Sequence, residues 1–189
     1  MGSKGGCMSK SDRRITAVFS PAYCLFTDGS RLTRMNELCV KQALYYFRTG
    51  QARWVIFGCA YDFWTKEGRL KRNLTRQEKV PDGCVVVVGE VCHRYDEVRR
   101  LKRKLEEMGV QRLIFVGERH HLGRQFRKSL ERALPGLEVH FDTIVCDRFE
   151  PTLEPDRIKR FRASCESAWR LWNWVVELVT PIYLRYRPL

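Results

Sequence analysis

The chain has 189 residues, 44% of them hydrophobic and 12% aromatic, enough to bury the core of one large domain and to exclude disordered, collagen-like and low-complexity classes. Its 35 Lys and Arg against 22 Asp and Glu give a formal charge of +13, which keeps nucleic acid, phosphorylated metabolites and acidic membrane surfaces open as partners. The eight cysteines include no C-x-x-C pair and several sit in apolar runs, so they read as small hydrophobes of a reducing cytoplasm rather than a disulfide framework.

Residues 1–13 are expected to be disordered, since they open on Gly, Ser and Lys and lack the apolar stretch of a signal peptide. Residues 14–189 read as a single domain. Its first strand runs Ile15 to Phe19, and a helix follows from Arg34 to Arg48 with Val40, Ala43, Leu44 and Phe47 on one face and Gly50 as its stop. The strand Trp54 to Phe57 leads into a weaker helical stretch from Thr65 to Glu78. Cys84 to Val88 is a continuous apolar run of the kind buried on both faces of a parallel sheet. The next helix carries Val98, Leu101, Leu105 and Met108 as its apolar stripe and ends at Gly109.

Leu113 to Val116 is the fourth strand, followed by a basic helix with Phe126, Leu130 and Leu134 inward, closed by Pro135-Gly136. Leu137, Val139, Phe141 and Val145 alternate as a fifth strand. From Pro155 a last helix places Ile158, Phe161, Cys165, Ala168, Trp172, Val175 and Val179 at steps of three and four. Arg170, Asn173, Glu177 and Pro181 interrupt its most apolar part, which reads as a buried or docking helix and not as a membrane span. Strand and helix thus alternate along the chain, which predicts a three-layer α/β domain with a mostly parallel sheet of about five strands joined by right-handed crossovers.

Ligands of such sheets bind beyond the carboxyl ends of the strands, where the strand order reverses. Gly58, Gly89 and Gly117 stand there and would let the backbone turn or a ligand approach. Glu90, His93, Arg94, Asp96 and Glu97 follow one strand, and Glu118, Arg119, His120, His121 and Arg124 follow another. Near helix N-termini such residues suit a phosphate or carboxylate, because the dipole and free amides favour anions. The competing reading is that the histidines pack and the run from Arg94 to Lys104 is a solvated helix face.

No phosphate loop, nucleophile elbow or dinucleotide turn occurs. A zinc site from Cys92, His93, His120 and His121 lacks the usual ligand spacing, so no metal is expected. Cys59 reads as an inert buried thiol, and no catalytic residue is assigned.

From Val85 to Gly136 these residues resemble the YdcF-like family, which includes the SanA and ElyC envelope proteins. Val116-Gly117-Glu118-Arg119-His120-His121-Leu122-Gly123-Arg124 is similar to that family's strand, turn and H-x-x-R segment, with His121 and Arg124 carrying the match. Tyr95-Asp96-Glu97-Val98 resembles the acidic end of its third loop, and Lys66-Glu67-Gly68 its Ser-Glu-Ala segment. The chain departs from the family at Gly58-Cys59, where paired glycines stand, at Ser20-Pro21-Ala22-Tyr23 in place of a glycine-rich loop, and at His93 and Arg94 in place of Ser and Thr. The resemblance implies a Rossmann-like fold with a pocket in the strand-end loops, and S-adenosylmethionine as one ligand. SanA and ElyC also carry membrane anchors.

The expected function is therefore binding of a nucleotide-like or other anionic small molecule. Arg124, Arg119 and His121 would face the anion, and Asp96, Glu97 and Glu67 would bind hydroxyl or amine groups or act as a base. Two alternatives stand beside it: a basic nucleic-acid-binding module using Arg119, Arg124, Arg127, Lys128 and Arg132, and a partner-binding protein using Trp169, Leu171, Trp174, Val176 and Leu178.

Overall fold

β-branched and aromatic runs form five strands, β1 (Thr16–Ser20), β2 (Trp54–Ala60), β3 (Val85–Val91), β4 (Arg112–Glu118) and β5 (Glu138–Ile144). The helices are α1 (Arg34–Arg48), α2 (Trp64–Gln77), α3 (Arg94–Glu107), α4 (Arg124–Ala133) and α5 (Glu166–Tyr186). The computed structural model describes residues 14–23, 25–60, 64–91, 94–153 and 164–186. The segment 1–13, expected to be disordered, lies outside the described residues, as do Cys92, His93 and the first turns of the helix expected from Pro155.

All five strands run parallel in the order β3-β2-β1-β4-β5. The chain starts in the middle, builds outward to β3, crosses back to β4 and finishes at β5. Right-handed crossovers in opposite directions place their helices on opposite faces. On one face Met35, Cys39, Val40, Ala43 and Leu44 of α1 pack with Val18, Val55, Phe57, Ile114 and Val116. On the other, Val98, Leu101 and Leu105 of α3 and Phe126, Leu130 and Ala133 of α4 pack with Ala17, Phe19, Ile56, Leu113 and Phe115. The alternation along each strand thus feeds two cores, and the parallel sheet covered by helices that element order predicts takes a three-layer, Rossmann-like form.

Helix ends follow local chemistry. Thr33 caps α1, its hydroxyl accepting the Asn36 amide. Gly50, Gly109 and Gly136 take φ of 73°, 63° and 82° after α1, α3 and α4, the left-handed backbone at which glycine stops a helix without strain.

Two expectations need correction. Gly58, Gly89 and Gly117 lie inside β2, β3 and β4 and not in the turns after them, because each strand continues past its glycine. The stripe through Val175 and Val179 does not face the core: these residues are 41% and 48% exposed, while Trp169, Asn173 and Thr180 are buried. Polar partners supplied by the rest of the fold turn this helix over, as the site shows. Among the described residues no helix is long and apolar enough to cross a membrane.

Candidate functional site

Strand order reverses between β1 and β4, so the loops from Ser20 to Tyr23 and from Glu118 to Gly123 diverge to opposite faces at the carboxyl edge of the sheet. Glu118 ends β4 fully buried. Its Oε2 accepts the amides of His120 (2.8 Å) and His121 (3.1 Å) and the indole N–H of Trp169 (2.6 Å). Its own amide donates to the Tyr23 hydroxyl at 2.8 Å, tying the β4 loop to the β1 loop. Burial, then the neighbouring Cys39, hold the Tyr23 hydroxyl well above its ordinary pKa, so it stays protonated.

His121 sits in an aromatic box. Its ring lies edge-on to Tyr23 and Phe126, with centroids 5.1 and 5.7 Å away, and stacks on Trp169 at 6.1 Å. These rings cover it and leave it buried. Arg94 closes the neighbouring edge, donating to the His121 carbonyl at 3.4 Å and to Asn173 Oδ1 at 2.8 Å.

The N-terminus of α4, where an anion is expected, holds a carboxylate of the chain itself. Glu177 of α5 accepts the amides of Gln125 at 2.6 Å and Phe126 at 3.2 Å. A Cβ at Gly123 would lie 2.4 Å from Glu177 Cδ, so glycine there admits the carboxylate. Arg124 is exposed and has no hydrogen-bond or ionic partner among the described residues. Replacing Glu177 with Ala is expected to cost about 1 kcal/mol, because two amides at a positive helix end lose their charged acceptor. Denaturant midpoints of the two proteins measure it, and equal midpoints would show that the contact contributes nothing.

A second polar cluster lies under the ends of β1 and β2. Glu67 and Lys71 of α2 are fully buried and form an ion pair of 2.9 Å. Asn36 Nδ2 donates to Glu67 Oε1 at 2.7 Å, and Lys71 Nζ donates to the carbonyls of Gly58 (2.7 Å) and Pro21 (3.1 Å). Burial alone would lower the Lys71 pKa, but the adjacent Glu67 outweighs it and the ammonium is held charged. Glu97 of α3 comes through to accept the Ala22 amide at 2.9 Å. A Cβ at Gly58 would stand 1.7 Å from Glu97 Oε1, so this glycine makes room for a side chain of the protein. Burial pushes the Glu97 carboxyl up to about 8, against the pull of the Ala22 amide and Lys71, so it is largely protonated at pH 7 and can donate a hydrogen bond.

Glu97, Glu67, Gly58, Gly117, His121 and Arg119 therefore stand at the expected edge, though the bonds they make run to other groups of the protein. Arg119 pairs with Glu166 at 2.6 Å. Asp96 pairs with Arg100 at 3.5 Å, and Gly117 leaves space filled by the Leu122 side chain. Arg127, counted in the basic helix, donates to the Leu122 carbonyl and lies over Phe141, leaving fewer free charges for nucleic acid. Cys59 is buried and its thiol is pushed far up by burial, then by Glu67 nearby. Among the described residues no group of three or more His, Cys, Asp or Glu is placed to hold a metal.

Sequence reasoning gave no site role to Lys71, Ser20, Tyr23 and Glu177, and it assigned to a partner face Trp169, which is buried on Glu118. The i,i+4 spacing of Glu67 and Lys71 is a visible signal, but the same spacing marks exposed ion pairs on countless helices. Compared with known proteins, the chain matches no family model, no curated protein and no solved structure.

Proposed function

We infer that the strand-end loops around the β1/β4 reversal bind a nucleotide-like or other anionic small molecule in a cytoplasmic protein, with S-adenosylmethionine among the candidates that the YdcF-like resemblance brings. One observation supports this most directly. Ser20 Oγ and Glu118 Oε1, at the ends of the two strands that flank the reversal, are buried and have no hydrogen-bond partner among the described residues. Each such atom costs about 1–3 kcal/mol, a cost that native folds tend to carry where function requires it.

In this reading Glu118 Oε1 accepts a hydroxyl or amine of the ligand, and Ser20 and protonated Glu97 donate to it. The anionic part goes to the α4 N-terminus beside Arg124. There it takes the Gln125 and Phe126 amides in place of the Glu177 carboxylate, so ligand and α5 compete for the same donors.

A thermal-shift screen against nucleotides, S-adenosylmethionine, sugar phosphates and short oligonucleotides tests the proposal. A ligand at one hundred times its dissociation constant adds about 2.7 kcal/mol of stability. The expected result is a shift with an anionic small molecule that Arg124→Ala removes and Glu177→Ala enlarges. A shift that survives Arg124→Ala unchanged would refute the assignment. Shifts with oligonucleotides alone, fading as salt rises, would favour a nucleic-acid module.

A further inference from the structure

Helix α5 is turned inside out. Its inward stripe is polar or mixed: Trp169 bonds Glu118, Asn173 bonds Arg94, Glu177 caps α4, and the Thr180 hydroxyl bonds the Tyr95 hydroxyl. Its outward stripe is apolar. Leu171, Trp174, Val175, Leu178 and Ile182 recur at one helical face and are between 41% and 62% exposed. Eight large hydrophobic side chains are left exposed among the described residues, and six of them lie on this helix, counting Val179. Scattered apolar residues on a surface need no explanation, but a contiguous band does.

The charges around the band define what can cover it. Arg170 stands at one end and Arg185 at the other, both exposed and without an ionic partner among the described residues, and Arg124 is free in the same way beside Gly123, against which Glu177 packs. The acid on this face, Glu166, is engaged by Arg119. A second copy of α5 is a poor occupant. Laid antiparallel it would set Arg170 against Arg185, and laid parallel it would set each arginine against its own kind, with no free carboxylate to offset them.

A surface that is apolar in its interior and anionic at its boundary meets both demands. Between α5 and the start of α4 a cleft of about 490 Å³ is lined by Arg170 beside Leu171 and Trp174, with Arg119, held by Glu166, and Glu177, held by the α4 amides, on its other side. The guanidinium of Arg170 next to apolar side chains suits a lipid phosphate and the start of its acyl chain. Helices with Trp and Leu on one face and arginine at its margins lie in the plane of a bilayer interface. No helix among the described residues has the length and apolarity to span one.

We propose that the outward face of α5 docks this protein on an anionic lipid surface, with Leu171, Trp174, Leu178 and Ile182 in the acyl boundary and Arg170, Arg185 and Arg124 on the headgroups. Arg124 serves in both readings, but vesicle binding is measured with no small molecule added and through Trp174, Leu178, Arg170 and Arg185, which the strand-end reading does not use, so failure of either reading leaves the other standing.

The test is sedimentation of the full chain with vesicles of phosphatidylcholine alone or with added phosphatidylserine. Binding to the anionic vesicles should exceed that to the neutral ones by about tenfold or more and fall with salt. The Trp174→Glu and Leu178→Glu substitutions together should abolish it while leaving the unfolding temperature in place, since both side chains point outward. Arg170→Ala with Arg185→Ala should remove the preference for anionic vesicles and gives a second reading independent of the first pair. No binding by the unaltered protein, or equal binding by these variants, overturns the proposal. A dimer in light scattering that Leu178→Glu splits, with no vesicle binding, overturns it in favour of self-association. Absence of both overturns it too and leaves an acidic protein partner for this face.

Discussion

Replacing Lys71 with Met is expected to destabilise the fold by about 3–5 kcal/mol, the range found when one partner of a buried ion pair is removed. The ammonium is enclosed between Glu67 Oε1 at 2.9 Å and the carbonyls of Gly58 and Pro21 at 2.7 and 3.1 Å. Met fills similar volume but leaves two carbonyls without a donor and Glu67 without a counter-charge, with Glu97 also inside the same cluster. Adding Glu67→Gln to Lys71→Met removes the stranded charge and keeps an acceptor for Asn36 Nδ2, so the double variant should regain a large part of the loss. Denaturant unfolding of the two single variants and the double variant measures the coupling directly. A Lys71→Met protein within about 1 kcal/mol of the parent would mean that the pair's attraction does no more than offset its desolvation.

How far the fold could be read from the residues depends on where each side chain finds its partner. Helix α1 was legible to the residue because the stripe through Val40, Ala43 and Leu44 and the stop at Gly50 are local signals, while the Thr33 cap and the burial of Cys39 were added by the structure. The same holds for α3, whose Val98, Leu101 and Leu105 sink into the core they announce. Strand ends were less legible: β2 to β4 pass through their glycines because pairing with the neighbour continues there, and no residue within the strand encodes that.

Helix α5 misled for the opposite reason. Apolar periodicity is evidence of burial only when no polar partner competes for the inward face, and here Glu118, Arg94, the α4 amides and Tyr95 bid for Trp169, Asn173, Glu177 and Thr180 across separations of about 50 to 85 residues. That Glu67 and Glu97 stand near the strand ends was legible. What they bond to was not, since Lys71 looks like any exposed lysine until α2 is placed on the sheet.

Glu97 leads to the second large effect, a stability that falls as pH rises. In the folded chain burial keeps its carboxyl protonated up to about 8, with Glu67 adding to the shift and the Ala22 amide, Lys71 and Arg94 opposing it, whereas the unfolded chain releases the proton near 4.5. Between those values the folded state binds more protons than the unfolded one, so each unit of acidification from pH 8 towards pH 5 adds stability. The gain over that window is on the order of 3 kcal/mol. Glu97→Gln keeps the carbonyl that accepts the Ala22 amide and removes this titration, so its unfolding free energy should fall less steeply than the parent's as pH rises and exceed that of the parent at pH 8. Parallel denaturation curves at pH 5.5, 6.5, 7.5 and 8.5 separate this contribution from every other titrating group, because only the difference between the two proteins is read. Curves that keep a constant separation would assign the pH dependence elsewhere and would mean that Glu97 is ionised where it lies, which its place against Lys71 and the Ala22 amide would then have to support alone.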